Sequence, residues 1–411
     1  MKNNIADQYI RIGTKYYKRT EMPLASNDSI SVLLNWDKET IKFDYGDKIL
    51  RQVKNFDGFC LIPSHTNYQQ IHGNFYNKYE DIGYNPINGE CHRTLQFLDH
   101  IFGEHFHLGL EYLKVLFENP RQILPILCLV SKERETGKTT FLNWLKAIFK
   151  GNMTINTNED FRSRFNSDWS SKLIIAVDET LLDKKEDSER LKTLSTSRVN
   201  KTEAKGKDKV EHEFFGKFIL CANPKDNEPF IKLDSEEIRY WIVTVPRLQV
   251  RVPGLLDEMI KEIPAFLNYL IHLPIKHKDK NSRMWFSAKS ISTDALQQLK
   301  KQNRPLLEAE ITEVIKDKLL DHNLKEVCYT RQDLQDILKH KGFKVTITQM
   351  NNILKRKWDM DPEKNSKAYK RYFFEKSGSE TQTVFHMEKG RYYTFKSEDF
   401  LTSEELNYSK S

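Results

Sequence analysis

At 411 residues, with 38% hydrophobic and 11% aromatic side chains, the chain has apolar material for two or three domains with cores, which excludes a disordered or fibrous protein. Charged residues make up 30% and leave a net charge of +7, a balance that suits a polyanionic partner without defining one. The five cysteines are scattered with no CxxC pair, which argues against a zinc site or a disulfide framework and for a reducing cytoplasmic setting.

No apolar signal core opens the chain, and no run is long enough to span a bilayer, so no membrane role is expected. Residues 1–85 are rich in Tyr, Asn and Asp, with β-like pieces at Tyr9 to Tyr17 and Ile30 to Phe43 and a turn signal at Asp57-Gly58. They predict a small β-rich or mixed accessory module without a recognisable catalytic site. Over 86–120 the apolar period becomes helical, with Leu95, Leu98, Ile101 and Phe102 before Gly103, then Leu110, Leu113, Leu116 and Phe117 before Pro120. This stretch is read as a helical lead-in and oligomerisation region.

The central segment, 121–275, carries the chemistry. Ile126 to Val130 is a short apolar run suited to a buried parallel strand, followed by Thr136-Gly137-Lys138-Thr139-Thr140 and then by apolar residues at helical spacing. A polar turn between such a strand and a helix start offers backbone N–H groups and the positive helix end to phosphates. Lys138 would reach the β- and γ-phosphates and Thr139 would hold Mg2+. Lys132 stands where the full phosphate-loop pattern has its first glycine, and a bare Gly-Lys-Thr also serves as an ordinary helix start.

Lys172 to Val177 is a second apolar strand, ending in Asp178-Glu179 at the edge where open α/β sheets bind ligands. There Asp178 would hold the Mg2+ shell through water and Glu179 would polarise the attacking water; the bland alternative is a solvated pair. Lys184 to Arg190 reads as a solvated helix face. Between Arg198 and Lys209, Lys205-Gly206-Lys207 could present ammonium groups to a phosphate backbone, or be an exposed charged loop. A third apolar strand ends on Asn223-Pro224, whose amide could orient water and the γ-phosphate or merely start a turn. Arg239 heads a fourth apolar strand, as a phosphoryl-stabilising guanidinium or a surface salt bridge.

Residues 276–304 read as a polar linker. From 305 to 411, three helical periods precede β-like Tyr369 to Phe374 and Arg391 to Phe395, the order of a winged-helix-like domain. Lys355, Arg356 and Lys357 near the end of its third helix would suit DNA contact, although the same order occurs in protein-binding modules.

In this order, Gly137-Lys138-Thr139, Asp178-Glu179, Lys205-Gly206-Lys207, Asn223-Pro224 and Arg239 resemble the superfamily 3 helicases of viruses, phages and plasmids. The likeness covers roughly residues 86–275 and looks closest to the helicase part of phage and mobile-element primase-helicases. It implies an α/β AAA+ P-loop core with a parallel sheet, ATP and Mg2+ as cofactors, and a homo-oligomer, expected to be a hexamer, acting on single-stranded or forked DNA. Lys138, Thr139, Asp178 and Glu179 then match the two Walker motifs and Asn223 the sensor. Lys205 and Lys207 fall on the channel hairpin, and Arg239 on the finger supplied to the neighbouring subunit. Priming would fall to a separate primase or polymerase, and the setting would be a bacterial or phage-infected cytoplasm. The other readings are an ATP-binding initiator or switch protein that assembles on DNA without processive unwinding, and a small-molecule phosphotransferase.

Overall fold

The computed structural model describes the chain outside residues 1–4, 24–28, 164–165, 167, 183, 203–209, 225–228, 235–236, 251, 278–282, 304–305, 322, 344, 378–379, 403–404 and 407–411. It divides into two units, Met1–Gln302 and Asn303–Ser411. No helix among the described residues is long and apolar enough to cross a membrane.

The first unit opens with β1 (Tyr9–Ile12), β2 (Lys15–Pro23), β3 (Ser29–Trp36), α1 (Lys38–Tyr45), α2 (Asp47–Leu50) and β4 (Lys54–Phe56), in a sheet of order β3-β2-β1-β4. The β-like run read as far as Phe43 stops at Trp36. Asp37 accepts the N–H groups of Glu39 and Thr40, at 3.1 and 3.2 Å, and so starts a helix instead. Three short strands follow, β5 (Gly58–Cys60), β6 (Ile71–His72) and β7 (Phe75–Asn77).

The two helices expected before Pro120 are α3 (His92–Phe102) and α4 (Phe106–Glu118). Then come β8 (Ile126–Val130), α5 (Lys138–Phe149), β9 (Met153–Asn156), α6 (Asn158–Arg162), β10 (Ile174–Val177) and α7 (Lys185–Thr196). β11 (Val199–Thr202) and β12 (Val210–Glu213) form an antiparallel hairpin, and β13 (Lys217–Ala222) and β14 (Tyr240–Thr244) complete a five-stranded sheet of order β14-β8-β13-β10-β9. Every pairing in that sheet is parallel. The helices α8 (Leu255–Lys261), α9 (Ile263–His272) and α10 (Asp294–Gln302) end the unit.

Continuous apolar runs are what a sheet covered on both faces needs, because alternate side chains point to opposite layers. Leu127, Leu129, Ile174, Ala176, Trp241 and Val243 enter one layer with residues of α3, α4, α5 and α9. Their neighbours Cys128, Ile175, Val177, Leu220 and Ile242 enter the other, with Leu191 and Leu194 of α7 and Leu296 and Leu299 of α10. Residues 58–82 are tied to the first layer. His65 stacks on Phe117 at 5.6 Å, and its ring bonds to the Phe117 carbonyl and the Tyr79 hydroxyl at 2.6 Å each.

The charge run at Lys184 to Arg190 is not merely a solvated face. Asp187 is buried and pairs with Arg162 at 2.8 Å, and the Arg190 guanidinium lies over the rings of Phe161 and Trp169. Two aromatic rings and an arginine on a neighbouring short helix turn this side of α7 inward.

The second unit has α11 (Leu306–Asp321), β15 (Glu326–Tyr329), α12 (Arg331–His340) and α13 (Ile347–Asn351), the last continuing as a π-helical turn over Asn352–Lys357. β16 (Lys367–Ser377) and β17 (Glu380–Gly390) form a long hairpin, then β18 (Tyr393–Lys396) and α14 (Ser397–Phe400) close the unit. The strand read at Arg391 to Phe395 pairs with β15 rather than with β16.

Candidate functional site

All five parallel strands end on the same edge, and the loops there are stitched together by backbone bonds. Ser131 N–H donates to Ala222 O at 3.1 Å, and Thr180 N–H to Cys221 O at 2.7 Å. The polar residues that follow β8, β10 and β13 therefore share one rim. Lys138, first residue of α5, sends its ammonium to Thr136 Oγ1 at 3.0 Å and to Asn223 Oδ1 at 2.7 Å. The Thr139 hydroxyl donates to Asp178 Oδ2 at 3.2 Å. Burial pulls the Lys138 pKa down, with Cys221 and Asp178 acting in the opposite direction.

Gly137 caps α5 with φ +87°, and a Cβ there would come within 3.0 Å of the Phe97 ring. Both facts reserve the position for glycine. No acidic residue lies in the first turn of α5 and no side chain caps it, so the carboxylate that faces the positive helix end comes from another strand tip, as Asp178. Thr136 is buried, its carbonyl bonded to the His100 ring at 3.0 Å, while Thr140 is half-buried. Lys132 is not among the residues with positive φ; besides Gly137, the left-handed residue of this loop is Glu135, at φ +60°. The Glu135 carbonyl accepts Leu248 N–H at 3.0 Å and its carboxylate meets Arg247 at 3.3 Å. The turn is thus made without glycine at position 132.

Glu179 is exposed and also left-handed, at φ +52°. Its N–H donates to Asp178 Oδ1 at 3.0 Å and its carbonyl accepts from Asn158 Nδ2 at 3.1 Å, which holds a conformation that is rare outside glycine.

Arg239 does not join this group within one chain. It precedes β14 at the opposite edge, where its carbonyl accepts Ile126 N–H at 2.9 Å, and a strand of this length sets it back by roughly 16 Å. Its guanidinium pairs with buried Glu237 at 3.0 Å and is about one-third exposed (36%). Glu237 also meets Lys192 at 3.3 Å and accepts the N–H groups of Ile238 and Arg239. This network links residues far apart in sequence, and no local signal reveals it.

The hairpin expected after Arg198 is present as β11 and β12, but Lys205 and Lys207 lie outside the described residues. In the second unit Lys355 and Arg356 are exposed, whereas Lys357 is bonded to buried Glu308, which also accepts Trp358 Nε1–H at 3.1 Å. Lys357 therefore supports the helix packing of that unit.

The family of unknown function DUF5906 matches residues 129–239, a stretch that runs from the end of β8 through Lys138, Asp178 and Asn223 to Arg239. Among solved structures, the apo C-terminal region of NrS-1 (305–718) superposes with a TM-score of 0.61 at 14% identity, covering 93% of this chain and 95% of that one. Two A-form apo structures of the same region give TM-scores of 0.60 and 0.59, again at 14% identity, covering 92% and 91% of this chain and 95% and 94% of theirs. This chain shares their fold. No curated protein matches it.

Proposed function

We propose that the chain is an ATP-dependent nucleic-acid motor of the superfamily 3 type, serving replication of a phage, plasmid or mobile element as a ring of identical copies. The observation that carries this reading is the pair of bonds Lys138–Asn223 and Thr139–Asp178, which join residues from three strand tips at the start of α5.

The geometry suits a triphosphate. Lys138, now satisfied by Thr136 and Asn223, exchanges those neutral partners for β- and γ-phosphate oxygens, a charge-assisted bond. The helix start and the loop from Thr136 to Thr140 supply further donors to the phosphates. The hydroxyl of Thr139 and the carboxylate of Asp178 are hard oxygen donors of the kind Mg2+ takes when phosphates complete its shell. Among the described residues no group of three or more His, Cys, Asp or Glu could cage a metal unaided, so the fit is to a metal that arrives with nucleotide. Mg2+ supplies neutralisation of phosphate charge when bound. Glu179, exposed beside Asp178, takes a proton from the attacking water, and the Asn223 amide orients that water once Lys138 has turned to the phosphates.

Arg239 serves the site of the next copy, from the far edge of its own sheet, and stabilises charge in the transition state there. Lys205 and Lys207 grip single-stranded DNA at the hairpin tip, and Lys355 and Arg356 of the winged-helix-like unit touch duplex backbone. The test is phosphate release with and without single-stranded DNA, together with strand displacement on a forked substrate. Stimulated release with unwinding is expected. ATP-dependent assembly without unwinding would favour a switch protein, and phosphate passed to an acceptor other than water would favour a phosphotransferase.

A further inference from the structure

A hollow of about 640 Å3 opens at the other edge of the parallel sheet from Lys138, between the loop before β6, the segment leading into β8 and the root of the β11–β12 hairpin. Three guanidinium side chains line it from three separate stretches: Arg121 ahead of β8, Arg198 ahead of β11, and Arg283 on the way to α10. All three are exposed, and among the described residues none has an ion-pair partner. Their backbones are nevertheless fixed nearby, since Arg198 O accepts Phe214 N–H at 2.8 Å and Arg283 O accepts Gln122 Nε2–H at 2.9 Å.

Beneath them Lys217 is buried, its ammonium held by the carbonyl oxygens of Pro120 and Phe215 with no carboxylate beside it. Burial draws it down to about 7, so an anion overhead would favour its charged form. The two acids on the walls do not balance these cations. Glu118 is already paired with Lys114 at 2.8 Å, which leaves Glu213 alone against three arginines.

Unpaired arginines on a concave wall are the usual chemistry of phosphate recognition, because the guanidinium fork matches two phosphate oxygens at once. The hollow is far larger than one phosphate ion, with room for roughly twenty waters at ~30 Å3 each. Its arginines come from separate segments, as successive phosphates along a chain require. It also adjoins the root of the hairpin whose sequence continues with Lys201, Lys205 and Lys207. We propose that this hollow seats successive phosphodiester groups of a nucleic-acid strand, a second contact surface at the opposite sheet edge from the nucleotide rim. It reads backbone and not bases.

The test is the salt dependence of binding of a fluorescein-labelled single-stranded oligodeoxynucleotide to the full chain and to the combined variant Arg121→Gln, Arg198→Gln, Arg283→Gln. Each phosphate contact contributes about 0.7 to the slope of log affinity against log salt for single strands. The combined variant is expected to bind at least ~10-fold more weakly and to lose about 2 from that slope. Its thermal midpoint and basal ATP hydrolysis should stay at the wild-type level. Should the combined variant not fold, each single variant is expected to lose about 0.7. Folded variants with wild-type affinity and slope would overturn the proposal. So would displacement of the oligonucleotide by inorganic phosphate at constant ionic strength, which would make the hollow a small-anion site. Failure of the ATPase reading leaves this result unaffected, because the measurement needs no nucleotide.

Discussion

The Lys138 ammonium reaches across two strand tips to the Asn223 side-chain oxygen, 2.7 Å away, while the next residue along, Thr139, reaches Asp178. Three parallel strands with polar ends thereby place an ammonium, a hydroxyl, a carboxylate and an amide around the start of one helix.

Asn223→Ala removes one of the two resting partners of Lys138 and the amide proposed to orient water. ATP hydrolysis is expected to fall by a factor on the order of 10² to 10³, with affinity for a non-hydrolysable ATP analogue changed by less than about 10-fold. Steady-state phosphate release and analogue titration measure the two separately. A large loss of affinity with unchanged turnover would assign Asn223 to binding.

Gly137→Ala places a side chain at a left-handed position and against the Phe97 ring. A cost of about 1 to 2 kcal/mol in stability is expected, with weaker nucleotide binding as the loop shifts. Denaturant unfolding and analogue titration on the same sample check both. A neutral substitution would show that the loop does not depend on this backbone geometry.

Arg239→Ala should leave the fold intact, because Glu237 keeps Lys192 and two backbone donors. If, as proposed, the guanidinium acts in the neighbouring copy, hydrolysis is nevertheless expected to drop on the order of 10³-fold. Mixing Arg239→Ala with Lys138→Ala chains should restore part of the activity through interfaces that combine an intact loop with an intact arginine. Wild-type hydrolysis by the single variant would reduce Arg239 to its salt bridge.

His65 gives a pH signature of its own. The Phe117 carbonyl can only accept, so His65 Nδ1 carries the proton and Nε2 accepts from the Tyr79 hydroxyl. Burial lowers the His65 pKa to about 4, below its ordinary value. The folded chain therefore binds fewer protons than the unfolded chain between about pH 6.5 and 4, and stability falls as pH falls through that window, by about 3 kcal/mol in all. Lys217, drawn down to about 7 by burial, gives a rise in stability above pH 7 and so acts in a different window. Unfolding by urea at pH 7 and pH 5 should lose this acid sensitivity in His65→Phe; an unchanged pH dependence would place its origin elsewhere.

The parts of this architecture legible in the sequence are those where local chemistry and tertiary role coincide. Ile126–Val130, Ile174–Val177 and Lys217–Ala222 announce themselves as doubly covered strands, and the polar residue after each marks the rim. The β9 strand, Met-Thr-Ile-Asn, sits on the sheet edge with its middle residues partly exposed and carries no apolar run to betray it. Strand β17 reads Glu-Thr-Gln-Thr-Val-Phe-His-Met-Glu-Lys-Gly, too polar for a period-two signal to stand out. The Lys192–Glu237–Arg239 network and the arginine-lined hollow depend on segments that only the fold brings together. Besides Gly137, the loop between β8 and α5 is left-handed at Glu135, a residue type that propensity assigns no such role.

The most direct measurement is calorimetric titration of the full chain with a non-hydrolysable ATP analogue, in the presence and absence of Mg2+, alongside Lys138→Ala and Asp178→Ala. Convergence of these side chains on one triphosphate predicts Mg2+-dependent binding by the wild type, at least ~10-fold weaker binding by Lys138→Ala, and loss of the Mg2+ dependence in Asp178→Ala. Equal binding by all three chains, or none by the wild type, would contradict it.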